Sequence, residues 1–332
     1  MTASLDIIIV NWNSGQHLKH CLESVPAASS EGFRLERVVV VDNDSGDWSA
    51  EELQPAAIPL HIMRNEENRG FAAACNQGAL GSRADYLLFL NPDVLLRAES
   101  LSIPMQFMEQ AENRNVGICG VQLLDSQGRL TRSCSRFPTP WIFYARMFGF
   151  DRFFPGHFPG HFIAERDHWE SKPVDVVTGA FFIVRRAVFE SLQGFDERFF
   201  VYFEELDFSY RACQAGWNSY FLATAQAVHH GGGCSEQVRA ARLFYSLRSR
   251  IIYCYKHFQW AEATSLLLGT VIVEPLARLT LCAAKGSFRE MRETLQGFIR
   301  LWRALPGLLR MQSLAAHHRA GALRSPSELE RE

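Results

Sequence analysis

Three short polar signals in this chain each follow an apolar run. Asn11-Trp12-Asn13 follows Leu5–Val10, Asp42-Asn43-Asp44 follows Val38–Val41, and Asn91-Pro92-Asp93 follows Tyr86–Leu90. Runs apolar on both faces suit parallel strands covered by helices on each side. In open α/β sheets, ligands bind outside the carboxyl ends of such strands. One Asn/Asp end alone reads as turn chemistry. Three together read as a polar rim for a metal or a nucleotide. Asp93, a carboxylate one residue past a turn, could hold a divalent cation. That cation would bridge the two phosphates of a nucleoside diphosphate and neutralise charge as the leaving group departs.

Two further constellations lie downstream. Glu204, Glu205 and Asp207 put three carboxylates within four residues. Their repulsion would raise at least one pKa, which suits a general base. Acidic residues are also favoured in the first turn of a helix, at the positive end of its dipole. Both readings hold together, because a helix start would also position the base. His229-His230 stands before three glycines. An imidazole there could complete a metal shell while the glycines let a loop approach a phosphate. The alternative is a turn with surface histidines.

The elements that must position these residues follow from periodicity. Helical spacing over His17–Val25 and an Ala-rich Phe71–Leu80 alternate with the strand runs, and Val116–Val121 adds a weaker strand. Strand–helix alternation predicts an α/β fold with a doubly wound central sheet. Residues 122–175 carry five prolines together with His157, His161 and His168, and read as an irregular insert of the kind that forms lids or binding loops. Scattered loop histidines are more often solvated than ligands. Val174–Val184 returns to a strand pattern interrupted by Thr178-Gly179-Ala180. A helix from Glu204 to Gly216 and a short strand at Trp217–Leu222 follow. From Arg239 onward the pattern is helical. The expected division is a domain at 1–238 with the 122–175 insert on its acceptor side, a helical region at 239–324, and a flexible tail at 325–332.

Composition narrows the classes. The chain has 332 residues, 34 basic and 36 acidic, for a net charge of −2. Proteins that coat nucleic acid carry a large positive excess, so nucleic acid is not expected as a partner. Residues 285–332 hold nine basic and five acidic residues. Over 285–324, Arg residues alternate with Phe, Trp and Leu, which suits a helix on an anionic membrane surface, or one packed on the protein's own core or a partner. The eight cysteines form no CxxC pair, and reduced thiols in the cytoplasm are the simplest account. The opening MTASLDIIIVNWN reads as a buried strand and not as a signal peptide. Leu266–Val273, ended by Glu274-Pro275, falls short of the ~20 residues that cross a bilayer.

Together these pieces resemble family 2 glycosyltransferases of the GT-A fold, in the rhamnosyltransferase-like bacterial branch. The resemblance runs through IIIVNWN, VVVVDNDSGD, RNEENRGFAAACNQG, DYLLFLNPDV, VTGAFFIVRR, GFDERFFVYFEELDFSYRACQAGW and AVHHGGGCS. It implies a Rossmann-like, mostly parallel central sheet flanked by helices, with a helical C-terminal extension. It implies that Asn11, Trp12 and Asn13 line the nucleotide pocket, and that Asp42, with Asn43, binds base or ribose. Asn68, Gly70, Phe71, Asn76, Asn91 and Gly179 would flank the donor. Asn91-Pro92-Asp93 stands where the family's DxD stands, so Asp93 would be the direct ligand of Mg2+ or Mn2+, with His229 as a second. Glu205 would be the catalytic base, with Asp207 in reserve and Glu204 beside them.

The implied reaction is a metal-dependent, inverting transfer of a sugar from a dTDP- or UDP-sugar to a glycan or lipid-linked acceptor, with L-rhamnose from dTDP-rhamnose as the leading donor. It would belong to polysaccharide or lipopolysaccharide synthesis, on the cytoplasmic side, with peripheral membrane contact through 285–324; a homo-oligomer stays open. A nucleotidyltransferase would need a Gly-rich basic loop of the GxGxRxxP kind near the N-terminus. A glycoside hydrolase would not need the nucleotide-type rim. The alternative from another class is a non-catalytic sugar-nucleotide- or membrane-binding scaffold with a degenerate site, which Asn91 and Glu205 keep open.

Overall fold

The computed structural model describes residues 2–28, 32–51, 53, 58–154, 157, 160, 161, 163, 168–231 and 239–322. The side chains of 152, 153 and 311–322 fall outside it, as does the expected tail at 325–332. The described strands are β1 (Ser4–Asn11), β2 (Arg34–Asp42), β3 (Leu60–Arg64), β4 (Tyr86–Leu90), β5 (Val94–Leu96), β6 (Val116–Leu124), β7 (Cys134–Ser135), β8 (Lys172–Val174), β9 (Val176–Val177), β10 (Phe181–Arg185) and β11 (Asn218–His229). The α-helices are α1 (Gln16–Ala28), α2 (Phe71–Ala79), α3 (Ser102–Glu109), α4 (Pro140–Met147), α5 (Phe150–Phe153), α6 (Arg186–Ser191), α7 (Glu204–Gln214), α8 (Arg239–His257), α9 (Trp260–Leu268), α10 (Glu274–Ala284) and α11 (Phe288–Ala322). Two compact units result, one within Met1–Thr139 and Pro159–Gln237, the other within Pro140–Phe158 and Val238–Glu332.

The first unit is a mixed sheet in the order β3-β2-β1-β4-β10-β6-β11-β5, with β8 also on β11. β1, β2, β3 and β4 run parallel, as the two-faced apolar runs of β1, β2 and β4 lead one to expect. β10 enters antiparallel between β4 and β6. Alternation along β1 sorts the two layers. Ile7 and Ile9 face α1 and α3 through Leu18, Leu22 and Met105. Ile8 and Val10 face α2, α6 and α7 through Ala74, Phe189 and Phe208. At Gly78 of α2 a Cβ would stand 2.6 Å from Ile8 Cγ2, so helix and strand approach closer than alanine permits.

Two expectations change. β11 does not stop at Leu222. It re-pairs with β6 at Gln226–Val228 after a bulge and reaches His229. His168 of the insert is fully buried: its Nε2 accepts the Ser133 amide at 3.1 Å and its carbonyl accepts Gln122 Nε2 at 2.6 Å. It is a structural bridge, and only His157 has the expected exposure.

The second unit is helical. α4 and α5, from the insert, belong to it. The apolar segment does not end at Glu274-Pro275. Proline is tolerated in a first helical turn, and a π-helical turn at Gly269–Val273 joins α9 to α10. The result is one apolar helix from Trp260 to Ala284, long enough by length and composition to cross a membrane. Thr270, Glu274 and Arg250 of α8 are buried together, with Arg250 donating to Thr270 Oγ1 at 2.8 Å and to Glu274. Among the described residues no disulfide forms, and the seven described cysteines are free.

Candidate active site

Asn11 closes β1 opposite Asp42, its partner on β2. Its Nδ2 lies 2.7 Å from Asp42 Oδ1, 3.0 Å from Ser45 Oγ and 2.8 Å from Ser49 Oγ. Ser14 Oγ donates to Asn11 Oδ1. Asn13 adopts φ +49° and accepts the Gly46 amide at 2.8 Å, while Asp47 accepts the Gly15 amide at 2.7 Å. Burial pushes the Asp47 carboxyl up, but hydrogen bonds from Ser49 and from the Gly15 and Ser49 amides outweigh it and hold the carboxyl low. The buried amide of Asn11 thus draws the 45–49 loop across the strand end, and Trp12 stays half-buried at the same rim.

The next residues support an approach to α7. Asn43 Nδ2 donates to Asn68 Oδ1 (3.1 Å) and Gly70 O (3.0 Å), and its Oδ1 accepts Asn65 Nδ2 and the Arg69 amide. Gly70 adopts φ +87°, and a Cβ there would stand 2.5 Å from Phe200 O. Phe71 N donates to that same carbonyl at 2.6 Å. Asn76 donates to Phe195 O (2.8 Å) and Glu197 Oε1 (3.0 Å) and accepts the Phe195 amide (2.9 Å). Asn43, Asn68, Gly70, Phe71 and Asn76 therefore fix residues 195–200, the segment that leads into Glu204.

Tyr202 and Phe203 then adopt φ +68° and +73°. Left-handed conformations of bulky residues are costly and occur where surrounding structure enforces them. They aim the first turn of α7 inward. Glu204 is buried and Glu205 half-buried, and each has an Oε2 shielded from solvent with no hydrogen-bond partner. Burial pushes both carboxyls up, and for Glu204 the neighbouring Glu205 adds to it. The helix dipole acts the other way, but burial outweighs it. Asp207 differs: it is fully buried but paired, accepting Arg211 Nε at 2.8 Å.

Gly179 lies between this turn and the end of β4. The Asn91 amide donates to Ala180 O at 3.0 Å. A Cβ on the neighbouring Gly179 would lie 3.7 Å from Glu205 Cβ, ordinary contact distance, so Gly179 leaves a slot beside that carboxylate. Asp93 Oδ1 lies 3.2 Å from His229 Nε2, because Val94 pairs with His229 across β5 and β11. Burial raises the Asp93 carboxyl, but hydrogen bonding and charge from His229, with His17, outweigh it and keep it low. The His230 ring lies 5.4 Å from that of His17, tilted by 41°, while Gly232 and Gly233 lie outside the described residues. Among the described residues no third metal-type side chain joins Asp93 and His229.

Sequence reading missed His17, although it lies in the first turn of α1, two residues after Asn13-Ser14-Gly15. It also missed a cleft of about 560 Å³ bordered by Arg97, Arg129, Trp169 and Gln226. Arg97 Nη1 donates to Gln226 Oε1 at 2.7 Å. The signal was available only as an exposed Trp169 and two arginines scattered over three segments.

A sequence profile of Glycosyl transferase family 2 matches residues 6–193. The N-acetylglucosaminyl-diphospho-decaprenol L-rhamnosyltransferase of Mycobacterium tuberculosis is 26% identical over 277 residues, 79% of this chain and 88% of that protein. Rhamnosyltransferase WbbL of Escherichia coli is 25% identical over 149 residues, 44% of this chain and 52% of that one. The mannosyltransferase PcManGT from Pyrobaculum calidifontis, solved with GDP-Man and Mn2+, shares the fold at TM-score 0.52 and 17% identity, over 93% of this chain and 86% of its own. The profile spans β1 through α6, more than half the chain, and takes in the strand ends that build the rim: the chain belongs to glycosyl transferase family 2.

Proposed function

We propose that this chain is an inverting sugar transferase that moves L-rhamnose from dTDP-L-rhamnose to a lipid-linked glycan, in the synthesis of bacterial cell-surface polysaccharide. The observation that carries the reading is the placement of the Asn91–Asp93 turn, hydrogen-bonded to Ala180 O, next to Gly179, where a side chain would meet Glu205. Glu205, with one unpaired carboxylate oxygen, then stands near a candidate leaving-group site. The names of the two rhamnosyltransferase relatives support the sugar, and that of the mycobacterial relative supports the lipid-linked acceptor.

Asp93 and His229 fit a divalent cation in part. Asp93 Oδ1 and His229 Nε2 lie 3.2 Å apart, an oxygen–nitrogen pair that would hold Mn2+ or Mg2+. When bound, such an ion supplies charge neutralisation for the departing diphosphate. Trp12 and Asp42 would hold the nucleoside at the rim. Glu205 accepts the proton of the acceptor hydroxyl as that oxygen bonds to the anomeric carbon, and the carbon–oxygen bond to the nucleoside diphosphate breaks. The single displacement inverts the anomeric centre. Asp207 is already neutralised by Arg211, so the base role goes to Glu205. The cleft beside Trp169 suits the sugar of an acceptor, offering an aromatic face and guanidinium groups.

The test incubates the purified protein with a GlcNAc-diphospho-lipid acceptor and dTDP-L-rhamnose, UDP-sugars or GDP-mannose, with and without Mn2+. Release of dTDP coupled to a product of inverted anomeric configuration by NMR is the expected result. Release from a UDP- or GDP-sugar alone would overturn the donor. Retained configuration would overturn the base role of Glu205. No turnover with any donor, despite nucleotide binding, would favour a non-catalytic scaffold.

A further inference from the structure

Apolar exposure is unevenly distributed. Thirteen of the seventeen exposed large hydrophobic side chains among the described residues belong to the helical unit. The solvent face of the helix from Trp260 to Ala284 carries Leu268, Ile272 and Leu276, exposed by 52%, 56% and 64%. Ala261, Ser265, Thr280 and Ala284 extend the same stripe at helical spacing, and it bears no charge. A solvated helix normally turns charged residues outward. A second stripe runs along α11, where Phe288, Leu295, Trp302 and Leu309 recur every seven residues and are all exposed. The stripes meet where Trp302 Nε1 donates to Val271 O at 3.1 Å.

We propose that these joined stripes are a docking face for an anionic lipid bilayer, on which the helical unit lies without crossing it. Charge complementarity selects this occupant. Between Lys285 and Arg310 there are six basic and two acidic residues. Arg289, Arg303 and Arg310 are exposed and each directly follows a member of the α11 stripe, so they flank the apolar line as headgroup contacts would. The opposite face of the Trp260–Ala284 helix argues against spanning. Ala263, Leu266, Thr270 and Glu274 are buried within the unit, and Glu274 is held by Arg250 of α8. A spanning helix would have to withdraw Glu274 from that ion pair into hydrocarbon. The inference moves the main contact toward residues 260–284, beyond the 285–324 stretch read from sequence, and it does not rest on the reaction assigned above.

The experiment is flotation of the full chain with phosphatidylcholine vesicles, with and without phosphatidylglycerol. Binding to the anionic vesicles with a blue shift of tryptophan emission is expected, and weaker binding, by about tenfold or more, to the neutral ones. The pair Leu268→Asp/Ile272→Asp is expected to lower partition at least about tenfold, and Arg289→Glu/Arg303→Glu by a similar factor, each with an unchanged unfolding midpoint because all four side chains are exposed. Wild-type protein that stays free of both vesicles would overturn the proposal, as would aspartate variants that bind as well as wild type. So would a wild-type dimer that the aspartate pair converts to monomer, since a second copy would then cover the face.

Discussion

Glu205 is half-buried, with one carboxylate oxygen shielded from solvent and unpaired, and a carboxylate in that state is poised to take a proton. Its pKa lies above the usual carboxylate range because burial disfavours the charged form. The base must be ionised to act, so kcat/KM should fall on the acid side at a pH above the ~4.3 of a free glutamate. Glu205→Gln should lower kcat by about 10²–10⁴-fold while nucleotide affinity and the unfolding midpoint stay near wild type. Loss of nucleotide binding, or an acid limb unmoved from the ordinary range, would remove Glu205 from the base role. Legibility at this scale was uneven. Glu204, Glu205, Asp93 and His229 stand out as chemistry-bearing types, and β-pairing does bring Asp93 to His229. Their states were not legible. The arginine partner of Asp207 stands at i+4 on α7 and could be read from spacing, whereas the unpaired oxygen of Glu205 is set by packing alone. The resemblance puts Asn43 and Asn76 beside the donor, and their amides also hold backbone and side chains of the neighbouring loops.

At the scale of elements, α7 is aimed by its supports rather than by its own sequence. Gly70 gives way to Phe200 O, and Asn76 ties down Phe195 and Glu197, so the strained Tyr202–Phe203 turn has little freedom to relax. Gly70→Ala would place a methyl 2.5 Å from that carbonyl in a left-handed conformation. It should cost more than about 1 kcal/mol and depress kcat, because the first turn of α7 would shift. Asn76→Ala, which strains no backbone, should cost about 1–3 kcal/mol through unsatisfied polar groups and depress kcat in the same direction. Full activity in both variants, with stability lost, would show that α7 keeps its aim without them. The long elements were legible: β1, β2, β4, α1, α2 and α7 follow from two-faced apolar runs and 3.6-residue spacing. β3 was not, since LHIMR is short and exposed at the sheet edge, and β5 is a three-residue strand defined by its partner β11. The stop expected at Glu274-Pro275 failed because burial against Arg250 makes that glutamate an interior anchor.

Across the whole molecule, the two units carry buried glutamates of opposite sign. Burial raises Glu274, but Arg250 and Arg278 outweigh it and bring its pKa down to about 2. That depressed group contributes stability above its unfolded value near 4.5 and loses it as pH falls toward 2, a change of about 3 kcal/mol. Glu204 is the reverse. Its raised pKa means its contribution is complete below about 4.5 and is lost as pH rises through the folded value. Calorimetry of wild type should therefore show an acid arm with a share from the helical unit, and a decline toward neutral pH from the sheet unit. Glu274→Gln should remove that share of the acid arm and destabilise the protein at neutral pH by about 3–5 kcal/mol, because it strands buried Arg250. Glu204→Gln should shrink the neutral decline, leaving the part due to Glu205, and leave the acid arm alone. The sites belong to separate compact units, so the double variant should show the sum within about 0.5 kcal/mol. A non-additive double variant would mean that the proton equilibria of the two units are coupled, and that the sheet and the helices respond to pH as one body.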